Sequence, residues 1–282
     1  MKEPKKKIIK IAGIIIGVTI SFLIIASTWL YSGNLTAGKI KIFQSLPYPL
    51  AFVNGKAVLM RDFIFRLNVA RHVNSAAGEQ DISQAIYSQM IIEEKIRQIA
   101  YARKVFVSDR EVEQEYSRQA GEQNFSQKLV GYGLDLNEFK IYILRRQLLA
   151  TNLQTWFNAQ TDLNNQTYGK AAQILEKISQ GQKMADLAVA DTEDNIGRET
   201  GGDLGFVDLA STLPELRQAL AGMKTGEVKI LPSRLGLHII QLEGQNQGRL
   251  HLWQIFLKND NFEDWVYNQT KDFKVRQIYK PK

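Results

Sequence analysis

The run Gly201-Gly202-Asp203-Leu204-Gly205-Phe206 constrains this chain more than any other stretch. Paired glycines mark backbone that turns where a Cβ would obstruct, here at the entry to a strand. A second landmark follows downstream, Gly236-Leu237-His238-Ile239-Ile240, an apolar strand carrying one histidine. A tight turn into a strand is common by itself. The two motifs together, at this separation, are much more specific.

At 282 residues the chain is long enough for one or two modest domains with a sizeable core. It has no cysteine, which excludes disulfide staples, thiolate metal sites and a lipid-modified cysteine, and leaves the redox compartment open. The net charge of +7 suggests a nucleic-acid partner until it is located. Lys2, Lys5, Lys6, Lys7 and Lys10, less Glu3, put +4 in the first ten residues and leave +3 for the other 272. No basic face interleaved with aromatics occurs elsewhere, so no nucleic acid is expected. His72, His238 and His251 stand at no metal-ligand spacing with carboxylates, and neither a nucleophile elbow nor a phosphate loop occurs. No metal or cofactor is expected.

Residues 11–30 carry no charge. As a helix they reach roughly 30 Å, the thickness of a bilayer's hydrocarbon core. Lysines precede the run, and Trp29 and Tyr31 stand where an interfacial aromatic belt belongs. The expectation is an uncleaved single-pass anchor in the plasma (inner) membrane, with the N-terminus cytoplasmic and the main body extracytoplasmic. A cleaved signal peptide is the alternative, and its apolar region is usually shorter.

Residues 33–50, with Gly33, Gly38, Pro47 and Pro49, suggest a linker. The segment 51–58 predicts two short strands about an Asn54-Gly55 turn. Apolar periodicity predicts a helix over 82–104, with Ile82, Ile86 and Met90 continued by Ile92, Ile96 and Ile99. Ser108 with Glu111 forms a capping box, and Asp135 with Glu138 repeats it at the start of a helix running to about Phe157. That helix is expected to show Ile141, Leu144 and Leu148 on one face. The polar segment 158–169 suggests a linker or frayed helix end, with the next helix from about Lys170 to Ser179.

The block 51–160 resembles the N-terminal chaperone domain of SurA- and PrsA-type extracytoplasmic foldases. The matching features are the Val53-to-Val58 opening, the helix ending Ala100-Tyr101-Ala102-Arg103-Lys104, the Val107-to-Val112 helix start and Leu136-Asn137-Glu138-Phe139. From Lys170 to Gly244 the chain resembles a parvulin-type (PpiC, rotamase) peptidylprolyl isomerase. It shows the glycine run, Leu213-Pro214-Glu215-Leu216, Thr225-Gly226-Glu227-Val228 and the His238 strand in that family's order. The resemblance implies an α+β fold: a four-stranded antiparallel sheet with helices, FKBP-like, over residues 165–258.

The family's first strand has no counterpart in 158–169. A matching run appears instead after the domain, at 249–257, so a circular permutant is expected, its family-first strand pairing with the His238 strand. A C-terminal helix and strand over 259–282 complete the chain. That strand is left with two placements, on the sheet edge or back against residues 40–53.

Carried over by position, the resemblance makes His238 the second family histidine, Asp194 the acid or thiol position, and Gln254 the replacement for the first histidine. His251 is the alternative, but its parity along the strand puts it on the other face. Leu204, Thr212, Leu216 and Leu235 fall at substrate-binding positions. Gln254, Thr212 and Leu216 depart from the usual family residues. Two functions follow as expectations. One is a membrane-anchored isomerase acting on unfolded or proline-containing clients. The other is a non-catalytic holdase that keeps the parvulin fold. Oligomeric state is left open.

Overall fold

The computed structural model describes residues 26–73, 79–121, 124–259 and 261–280. They divide into two compact units. The first takes residues up to 94, then 126–135 and 273 onward; the second takes 95–125 and 136–272.

In the first unit, Asn54 and Gly55 both adopt positive φ, 46° and 79°, the backbone that an Asn-Gly hairpin turn requires. They join β1 (Pro49–Val53) to β2 (Lys56–Leu59). A third strand, β7 (Val275–Gln277), pairs antiparallel with β1 on its other side, Ala51 opposite Gln277 and Val53 opposite Val275. The C-terminal strand therefore closes back on the start of the unit. Behind the sheet lie α1 (Ala37–Ser45), α2 (Met60–Val73) and the first part of α3 (Glu79–Ala102). Phe43, Leu50, Met60, Phe63, Ile64 and Met90 are almost fully buried there, and Tyr279 packs its ring 6.0 Å from that of Phe63.

Two expectations are corrected in this unit. Residues 37–45, read as linker, are helical, because Phe43 is buried between Tyr31 and Tyr48 and anchors the segment to the core. Ile92 is 54% exposed, whereas Ile91 is buried. Two helical residues beyond the buried Met90 is a rotation of about 200°, which turns Ile92 away from the core.

The second unit contains α4 (Asp109–Ala120), whose capping box forms as expected: Ser108 Oγ accepts from the Glu111 amide and the Glu111 carboxylate accepts from the Ser108 amide. In sequence, α5 (Phe125–Gly131) falls, after Phe125, in the first unit, and the short α6 (Leu136–Glu138) returns the chain to the second. A π-turn over Phe139–Leu144 then leads into α7 (Arg145–Asn158). That turn separates residues expected on one face: Leu144 is 1% exposed and Ile141 55%. Bonding from i to i+5 widens the turn, so a residue three positions on no longer returns to the same side.

The helix α8 (Asn165–Ser179) begins five residues before Lys170, inside the polar segment. It is followed by α9 (Met184–Asp191), α10 (Asn195–Glu199), β3 (Asp203–Asp208), α11 (Pro214–Ala221), β4 (Val228–Ser233), β5 (Gly236–Asn246), β6 (Arg249–Lys258) and α12 (Phe262–Thr270). The sheet order is β3-β6-β5-β4, with every pair antiparallel. Gln247 and Gly248 turn with φ of 49° and 78° to join β5 to β6, and the pairing runs from Asn246–Arg249 to Gly236–Lys258.

Alternation along β5 and β6 gives the sheet two apolar faces. Leu237, Ile239, Ile255 and Leu257 pack against Ile174, Met184 and Leu187 of α8 and α9. Ile240, Leu242 and Leu252 pack with Leu216 and Leu220 of α11. His238 and Gln254 share the parity of the second set. Among the described residues no helix is long and apolar enough to cross a membrane. The span read at 11–30 lies, all but its last five residues, outside the described residues.

Candidate active site

The glycine turn packs directly on the backbone of β6. Gly201 and Gly202 adopt φ of 64° and 81°. A Cβ on Gly202 would stand 2.5 Å from the Gln254 carbonyl oxygen and 2.7 Å from Ala188 Cβ. The Gln254 amide donates to the Gly202 carbonyl at 2.8 Å. Bare backbone at Gly202 is thus what lets β6 lie this close to the turn. Gly236 does the same at the other end, where a Cβ would meet the Leu257 oxygen at 2.3 Å with φ at 150°.

Between these glycines His238, 4% exposed, is held from both sides. Its Nδ1 lies 2.9 Å from Gln254 Oε1 and its Nε2 2.7 Å from Ser233 Oγ. The Leu235 amide donates to the same Ser233 oxygen at 3.0 Å. An amide oxygen accepts only, so the proton sits on Nδ1, and Ser233 Oγ–H is left to donate to Nε2. Burial pushes the ring's pKa below its ordinary value, opposed by the hydrogen bond to Gln254 and by the charge of Glu215. A neutral ring in one orientation results. Phe256, opposite His238 on β6, lies against it with centroids 5.0 Å apart.

The sequence reading placed His238 and Gln254 together, and the structure joins them by a hydrogen bond. It missed Ser233 and Phe256. The β4–β5 register pairs Leu231 with His238 and Ser233 with Gly236, which makes Ser233 a diagonal neighbour on the same face. Assigning Arg234-Leu235 as a two-residue hairpin turn would have found it.

Asp194 follows a segment bound to β6. Thr192 Oγ1 accepts from the Phe256 amide at 3.0 Å, and the Glu193 amide donates to the Phe256 carbonyl at 2.8 Å. The Asp194 carboxylate accepts from the Gly197 amide at 3.1 Å and N-caps α10. Among the described residues it makes no hydrogen bond or ion pair with His238 or Gln254.

Leu204 and Leu235 are 39% and 50% exposed, so both present apolar surface. Thr212 turns its hydroxyl back to the Leu209 carbonyl at 2.7 Å. Leu216 is buried in the core beneath α11. Glu215 and Arg234 form an ion pair at 3.2 Å that ties α11 to the turn bearing Leu235.

His251 lies on the opposite face from Gln254, as its parity implied. Its Nε2 is 2.9 Å from Asp203 Oδ1 and its Nδ1 3.1 Å from Glu243 Oε2. The Gly205 amide, and then His251, hold the Asp203 carboxyl below its usual range. Among the described residues no cluster of His, Cys, Asp and Glu is placed to hold a metal ion.

A buried histidine on a central strand, bonded to Ser233 and Gln254 and packed on Phe256, lies within a domain whose class the comparisons give. Residues 146–246 match the family described as PPIC-type PPIASE domain. The second unit therefore carries a parvulin-type isomerase domain. The chain is similar to chaperone SurA of Nitrosospira multiformis, 35% identical over 26% of this chain and 17% of that one. It is also similar to foldase protein PrsA 2 of Bacillus anthracis, 25% identical over 63% of this chain and 69% of that one. A third relative is foldase protein PrsA of Caldanaerobacter subterraneus, 24% identical over 58% and 57%. The chain thus spans less than a fifth of that SurA and more than half of each PrsA.

Proposed function

We propose that this chain is a membrane-anchored, extracytoplasmic folding factor whose parvulin-type domain isomerises prolyl bonds in unfolded clients. Residues 11–30 form the anchor and residues 51–160 the chaperone block. Residues 165–258 form the isomerase domain, followed by the 259–282 tail. The observation that carries the enzyme reading is the neutral His238 ring fixed between Ser233 Oγ and Gln254 Oε1.

The domain is a circular permutant. Supporting this, β6 runs between β3 and β5 yet lies beyond residue 246, where the family match ends. The family-first strand is supplied by 249–257, and a two-residue turn closes it onto β5 at little entropic cost.

Rotating a prolyl amide means crossing about 18–20 kcal/mol, with no covalent intermediate. The site has to bind the twisted amide better than either planar form. Leu204 and Leu235 offer the proline ring apolar contact. The Asp194 carboxylate disfavours the partial negative charge on the planar amide's oxygen, and His238 ties Gln254 on β6 to Ser233 on β4. No cofactor enters this chemistry.

The second reading, a holdase without catalysis, is favoured by Leu216 and Asp194: one is buried in the core and the other is engaged as a helix cap. Proline-limited refolding of an unfolded client separates the two. Acceleration by wild type that is lost in Asp194→Asn, a variant that retains capping ability, supports isomerisation. Suppressed aggregation with no acceleration leaves the holdase.

A further inference from the structure

The polar segment after α7 contains a buried amide network that the site chemistry above leaves unexplained. Asn158, Asn164 and Asn259 are 0%, 3% and 6% exposed. Asn259 Nδ2 donates to Asn158 Oδ1 at 2.9 Å and also to Asn164 Oδ1. Asn164 Nδ2 donates to the carbonyls of Phe157 and Gln160 at 2.6 and 2.9 Å. Tyr168 Oη donates to the Asn158 carbonyl at 3.1 Å. Asn158 Nδ2 leaves this group and donates to the Ser233 carbonyl at 2.7 Å.

Ser233 is therefore fixed at two atoms. Its carbonyl is held by Asn158, and its hydroxyl oxygen by the Leu235 amide. What remains to it is one hydroxyl proton, directed at His238 Nε2. The amides donate to the carbonyls of Phe157, Gln160 and Ser233, which apolar replacements would deprive of these donors, so they help hold the backbone of this region. They also supply direction: satisfied buried networks specify a single geometry.

We propose that Asn158 is a positioning residue for His238, acting through Ser233, with Asn259 and Asn164 holding its amide in orientation. The chain of contacts joins the C-terminus of α7 and the end of β6 to the histidine on β5. This rests on the isomerase reading for its kinetic consequence, but its structural consequence stands apart from it.

The test uses the full chain in detergent micelles with ring-15N histidine. There are three histidines, so His238→Gln identifies the His238 signals. Wild type should show His238 as a single neutral tautomer protonated at Nδ1. Asn158→Ala should show mixed tautomers, and its kcat should fall roughly ten- to a hundredfold at unchanged KM, the size expected of misplaced catalytic groups. An unchanged ring spectrum and kcat, with only a lower melting temperature, would overturn the proposal. If Asn158→Ala does not fold, the pair Asn158→Leu with Asn259→Leu removes both amides together and is read the same way. A wild type without isomerase activity would defeat the enzyme reading, and the ring spectrum would still decide whether Asn158 positions His238.

Discussion

Nδ1 of His238 on β5 and Oε1 of Gln254 on β6 lie 2.9 Å apart, inside a sheet where Gln254 sits opposite Ile240. Gln254→Leu leaves a buried N–H without an acceptor and should cost about 1–3 kcal/mol of stability. Because Gln254 raises the ring's pKa, the same variant should move the His238 titration further down. Gln254→His, which retains a ring nitrogen as partner, should lose less. Chemical denaturation and NMR titration check the three.

His238 also predicts a pH dependence. Burial lowers its pKa in the folded chain, so between that value and the unfolded value near 6.5 the unfolded chain binds more protons. Stability should therefore be fully present above about pH 6.5 and fall as the pH drops through that window. His238→Gln should flatten this part of the curve. Glu215→Gln removes a charge that raises the folded pKa, and should extend the window's lower end to lower pH while its upper end near 6.5 stays. Melting temperatures from pH 7.5 to 5 measure both.

The glycines of the site are not equivalent. Gly202→Ala and Gly236→Ala each place a Cβ within 2.5 Å of backbone oxygen and should destabilise the second unit by more than about 2 kcal/mol. Gly205 also has positive φ, 61°, but nothing lies within 4 Å of its would-be Cβ. Gly205→Ala should cost only the left-handed conformation, about 1–2 kcal/mol.

Leu216 and Leu235 should separate stability from binding. Leu216→Ala opens a cavity beneath α11 and should cost about 2–5 kcal/mol. Leu235 is half exposed, so Leu235→Ala should stay within about 0.5 kcal/mol in stability and raise KM for proline peptides. Unfolding curves set beside steady-state kinetics show which residue is which.

What the sequence made legible was local. Asn54-Gly55 and Gly201-Gly202 encode positive φ in their residue types, and strand alternation put His238 and Gln254 on one face while excluding His251. What it hid depended on longer-range packing. A π-turn at Phe139–Leu144 moved Ile141 to the surface without any compositional sign. Nor did glycine and proline around residues 37–45 disclose a helix pinned by Phe43. Asn158 and Asn164 looked like solvated linker residues, because a buried amide becomes recognisable only once its partners are known, here Asn259, 101 residues from Asn158, and Ser233, 75 residues from it.

The central claim is that His238 serves a working prolyl isomerase. A protease-coupled assay of a proline tetrapeptide with the full chain, wild type beside His238→Ala, tests it most directly. The account predicts isomerisation above the spontaneous rate in wild type and a fall of at least about tenfold in kcat/KM for the folded variant. Rates equal to background in both, or unchanged by the substitution, would contradict it.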